Sequence, residues 1–101
     1  VANFVSLKLD HPLIKACKEL FPGRLQYSWP AELRMTESGF TVSATLPETR
    51  HFGIVRLDFA ARGASFYDYD AYDGNESLID QIELTAQQID ELKEHLRSAA
   101  G

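Results

Sequence analysis

With only one cysteine, one methionine and one tryptophan among 101 residues, this chain lacks several of the devices small domains rely on. Cys17 has no second thiol to meet within the chain, so an internal disulfide is excluded, and such sparing use of cysteine fits a reducing, cytoplasmic setting. No run approaches the ~18 apolar residues of a membrane-spanning helix, and the N-terminal stretch has neither the basic region nor the apolar core of a signal peptide. A soluble protein with no membrane partner is expected. The glycines at 23, 39, 53, 63, 74 and 101 stand apart from one another, so no phosphate-cradling loop is present. His11, His51 and His95 fall in no HxH, HxxxH or CxxC-like spacing, and Cys17 sits on the apolar side of a helical pattern, where a thiol is an inert small hydrophobe. The chain therefore carries no recognisable catalytic, metal or cofactor motif, and none is assigned.

Basic residues are also scarce, but unevenly so. Positions 1–50 hold six Lys/Arg and five Asp/Glu, whereas positions 51–101 hold four and ten. Between Phe66 and Glu94 nine carboxylates face the single base Lys93, a distribution that repels nucleic acid and attracts basic surfaces. What the chain does have is enough apolar material, 45% of residues with 11% aromatic, to build one core as a monomer or a small homo-oligomer.

The order of periodicities predicts the architecture. Val5, Leu7 and Leu9 alternate in a short strand, and Asp10 stands as N-cap before a helix with Pro12 in its first turn. Leu13, Ile14, Ala16, Cys17, Leu20 and Phe21 then share a helical face that Pro22-Gly23 closes. Period two takes over at Leu25, Tyr27 and Trp29, breaks at Pro30, and resumes through Ala31, Leu33 and Met35. Glu37-Ser38-Gly39 reads as a three-residue hairpin turn with the glycine at positive φ, followed by a half-buried strand through Phe40, Val42, Ala44 and Leu46. Pro47 to Arg50 is a loop. A strand from Phe52 to Phe59 turns at Ala60 to Gly63 into another ending near Tyr69. Leu78 to Leu84 shows no clear period. Thr85 and Gln88 make a capping box for a last helix whose stripe is Ile89, Leu92, Leu96 and Ala99. The sum is a single α+β domain over 1–101: an antiparallel meander of about four to five strands, with an N-terminal and a C-terminal helix packed on one face.

The most unusual stretch runs from Phe66 to Glu76, where four aromatic rings and four carboxylates occupy eleven positions without a base. The spacing Asp68-x-Asp70-x-x-Asp73-Gly74-x-Glu76 approaches a calcium loop, but Tyr72 takes the place of the third ligand and no helix pair flanks it, so no metal is assigned. Rigid amphipathic tyrosines beside carboxylates suit an interface instead. The leading expectation is a non-enzymatic interaction module, of the inhibitor, immunity-type or nucleic-acid-mimic kind, that binds a basic protein through Tyr67, Asp68, Tyr69, Asp70, Tyr72, Asp73 and Glu76. The alternative is a small-molecule pocket between sheet and helices lined by Tyr27, Trp29, Phe40, Phe52 and Phe59. An enzyme would need His51, Arg56, Asp58 and Tyr67 to converge.

Overall fold

The computed structural model describes residues 4–23, 31–45 and 51–100. Among these, β1 (Phe4–Leu7) leads into α1 (Pro12–Leu20), and five strands follow: β2 (Ala31–Met35), β3 (Gly39–Thr45), β4 (His51–Asp58), β5 (Gly63–Asp70) and β6 (Asn75–Glu83), before α2 (Ala86–Ala100). The strands form one antiparallel sheet in sequence order, β1 to β6. Six described strands thus replace the expected four to five. The addition is β6, whose sequence hides its period because Phe66 pairs with Asp80 while Tyr67 pairs with Leu78, leaving Ile79 as a bulge. An extra residue in one strand inverts the alternation beyond it, so no single period-two pattern spans β6.

Alternation sorts the sheet into two faces. Ala31, Leu33, Phe40, Val42, Ala44, Val55, Leu57, Ala64 and Phe66 turn to one side, where they join Leu13, Ile14 and Cys17 of α1 and Ile89, Leu92 and Leu96 of α2 in one buried cluster. Both helices therefore cover the same face, with α2 against α1 and β1. Phe21, just past α1, meets Phe66 at 5.9 Å, and Phe40 meets Phe59 at the same separation. Fully burying a ring such as Phe21 contributes about 2–3 kcal/mol, so the Phe21–Phe66 pair anchors the end of α1 on the sheet.

Local signals place the helix ends. Thr85 Oγ1 accepts from the Gln88 amide at 3.1 Å, and Gln88 Oε1 accepts from the Thr85 amide at 2.9 Å, the reciprocal box expected from T-x-x-Q. At α1 the cap is His11 rather than Asp10. The His11 amide donates to the Lys8 carbonyl at 3.0 Å, which draws Asp10 into a turn, and His11 Nδ1 accepts from the Leu13 amide at 3.0 Å. Gly39 also differs from expectation. It opens β3 opposite Asp58, and a Cβ there would lie 1.9 Å from the Leu57 carbonyl oxygen, so close backbone approach demands the glycine. The expected strand through Tyr27 and Trp29 and the loop from Pro47 to Arg50 lie outside the described residues.

Candidate functional site

The Phe66–Glu76 stretch is a hairpin in which every carboxylate has a local task. It occupies the second half of β5, a turn and the start of β6. In the turn Asp70 Oδ1 accepts from the Tyr72 amide at 2.9 Å, and Asp73 Oδ1 accepts from the Asn75 amide at 2.9 Å. The Gly74 amide donates to the Asp70 carbonyl at 2.8 Å, with Gly74 at φ +75°. These are the side-chain turns that Asp forms readily, closed by the residue best able to take a left-handed conformation.

The strand register divides the remaining residues between the two faces. Asp68 and Asp70 continue the face of Ala64 and Phe66, at the end of β5 beyond the buried cluster, where His51 of β4 lies opposite Asp70. His51 Nδ1 stands 2.8 Å from Asp68 Oδ2, and its Nε2 stands 3.9 Å from Asp70 Oδ2. A histidine clasped by two carboxylates ties the ends of β4 and β5 together. Among the described residues no group of three or more His, Cys, Asp or Glu is arranged to hold a metal ion.

Tyr67, Tyr69 and Glu76 turn to the opposite face, which is helix-free among the described residues. The Arg56 guanidinium lies 4.5 Å from the centre of the Tyr67 ring and forms a two-pronged pair with Glu76, with Nη2 to Oε2 at 3.0 Å and Nη1 to Oε1 as the second contact. That hydrogen bond, above all, raises the Arg56 pKa further above its already high ordinary value. Tyr69 stacks on Phe52 at 6.0 Å. Of the seven residues expected to share one binding surface, therefore, Tyr67, Tyr69 and Glu76 face one way, Asp68 and Asp70 the other, and Tyr72 and Asp73 form the turn.

The aromatic set is likewise divided. Phe40 is completely buried and Phe59 packs on it beneath Lys93, whose Nζ lies 5.4 Å from the Phe59 ring centre. Phe52 belongs to the helix-free face, while Tyr27 and Trp29 lie outside the described residues. Nor do the four residues an enzyme would need converge. Arg56, Asp58 and Tyr67 border one cavity on the open face, with Asp58 Oδ1 also accepting from the Ala61 amide at 3.0 Å in the β4–β5 turn, but His51 points to the helix side. Burial pushes the Cys17 thiol up to about 12, which keeps it protonated and poorly nucleophilic at neutral pH.

Sequence reasoning did not single out two features. One is the exposure of Leu78 (53%) and Ile79 (42%) on β6, where the bulge and edge position leave apolar side chains uncovered. The other is a trough along the helix-free face with a cavity of about 630 Å³ at one end, bordered by Phe52, Ile54, Tyr69, Arg34 and Glu32. Strand alternation in Phe52-Gly53-Ile54-Val55-Arg56 signals this face; the cavity on it does not show in sequence. No helix among the described residues is long and apolar enough to cross a membrane. No family model matches the chain, and no curated protein or solved structure is significantly similar to it.

Proposed function

We propose that this chain is a small interaction module that binds a basic protein partner through the tip of the β5–β6 hairpin and the outer edge of β6. The observation that carries this reading is the exposure of Tyr72, 81% accessible at the tip, on the same hairpin as uncovered Leu78 and Ile79 and exposed Asp73 and Glu83. Apolar anchors supply contact area, and carboxylates around them steer a cationic surface and disfavour anionic ones. The helix side of Asp68 and Asp70, where His51 already engages them, takes no part. Among the described strands β6 also ends the sheet, so one row of its backbone groups faces outward and offers strand pairing to a partner.

The test is affinity capture from the native source with the wild-type chain, an Asp73→Asn/Asp80→Asn/Glu83→Gln variant and Tyr72→Ala. The asparagine changes remove charge yet keep the side-chain carbonyls that accept from the Asn75 and Gln81 amides. A basic protein retained by the wild type, lost by both variants and released by rising salt supports the proposal. Retention of the same proteins by all three chains sinks it.

A further inference from the structure

The helix-free face carries a second site with different chemistry, and the geometry points to a short neutral oligosaccharide as its ligand. Beyond the 630 Å³ cavity at the Phe52 end, the trough passes Thr41, Ser43 and Arg56 and opens into a further cavity of about 390 Å³ bordered by Ser65, Tyr67 and Gln81. It follows the strands from Phe52 to Asp58, a reach of about 20 Å at the rise of an extended chain. A ligand here is long and narrow.

Three properties of the wall select among long, narrow ligands. First, the backbone groups of the inner strands are already paired within the sheet, so recognition falls to side chains alone. An extended peptide gains its affinity from backbone pairing at an edge and finds none in this trough. Second, Thr41, Ser43 and Ser65 each donate and accept through one hydroxyl, and the Gln81 amide also does both, which matches a ligand rich in hydroxyl groups of the same dual character. Third, among the described residues the charges lining the trough are two carboxylates, Glu32 and Asp58, and two guanidiniums, Arg34 and Arg56. Glu76 already holds Arg56. The described part of the wall thus presents no excess positive charge to draw a phosphate or carboxylate ligand, on a chain whose net charge is −5.

The stacked pair Phe52 and Tyr69 completes the match. Both rings are half-buried at the wide end of the trough, 6.0 Å apart with their planes 28° from parallel, and together leave apolar ring surface and a phenol partly accessible there. A pyranose ring combines an apolar C–H face with a polar equator, and aromatic surface next to hydroxyls and planar polar groups receives both parts.

The experiment is an NMR titration of the intact chain with cellotetraose, maltotetraose and chitotetraose, following backbone amides and the Phe52 and Tyr69 ring protons. Saturable shifts along β3 to β5 on the trough, weakened about tenfold by Phe52→Ala, are expected. Ser43→Phe fills the trough without removing the Phe52 and Tyr69 rings and abolishes the shifts, while Tyr72→Ala at the hairpin tip leaves them unchanged. Absence of saturable shifts with all three sugars overturns the inference. So do shifts confined to the β6 edge, or preferential filling of the same trough by a lysine-rich peptide.

Discussion

The two faces of the sheet are built from alternating residues of the same strands, yet they obey different rules. On the helix side, side chains from α1, α2 and the strands are packed into one buried cluster, with Phe21, Phe40, Leu13, Ile14, Leu33, Val42 and Val55 almost wholly removed from water. On the other side, hydroxyls, ion pairs and stacked rings lie open, and their contacts are local: Arg56 with Glu76 and Tyr67, Phe52 with Tyr69. Burial on one face holds the fold, which frees the other to meet something else.

The largest effect is expected from Phe40→Ala. Removing a fully buried ring leaves a cavity that close packing cannot refill, and should cost about 3–5 kcal/mol in urea unfolding. Phe52→Ala on the open face should cost about 1 kcal/mol, because that ring is only half-buried and, among the described residues, has Tyr69 as its aromatic neighbour. Similar losses from both variants would erase the distinction between the faces.

Gly39→Ala tests the same comparison differently, since Gly39 lies on the open side of β3. Its added Cβ collides with the Leu57 carbonyl rather than with a side chain, so the backbone must shift, at a cost of about 3 kcal/mol. A loss of that size would show that what the open face cannot spare is its strand spacing.

Cys17 sharpens the contrast through pH. Its folded thiol titrates near 12 rather than the ordinary 9.0 because burial disfavours the thiolate. The unfolded chain loses that proton at lower pH than the native one, so the contribution is intact below pH ~9 and declines by about 1.4 kcal/mol per pH unit on the way to the folded value. Urea midpoints measured from neutral to alkaline pH should fall more steeply for the wild type than for Cys17→Ala. Parallel slopes would mean that the thiol is wetter than its position beneath the sheet implies.

The smallest effect belongs to Arg56→Gln. Partly exposed ion pairs contribute on the order of 0.5 kcal/mol and a cation over an exposed ring a similar amount, so stability should drop by about 1 kcal/mol or less, and less still at high salt. A loss above that range would mark the Arg56–Glu76–Tyr67 group as a structural clamp.

Much of the fold was legible because its causes are short-range in sequence. The Thr85–Gln88 box, the stripes of α1 and α2 and the alternation of β3 and β4 each act within a few residues, and each formed where its pattern placed it. The misreadings share a different cause. Asp10 outranks His11 as a capping residue on propensity, but the Lys8 turn set the chain direction and brought the imidazole to the Leu13 amide. Gly39 was read for its freedom in φ when a neighbouring strand explains it.

The Phe66–Glu76 stretch shows where that boundary runs. Sequence alone determined its composition, its tendency to turn at Asp73-Gly74 and the excess of carboxylates that follows it. Whether its tyrosines and acids shared a surface depended on register. Pairing with β4 sent Asp68 and Asp70 toward His51, and the bulge at Ile79 turned Leu78 and Glu76 to the side of Tyr67 and Tyr69. One residue of slip reverses which face a side chain occupies, and slip is set by partners seventeen positions away, as between His51 and Asp68. Local composition determines what a strand can present; only its pairing decides to which side.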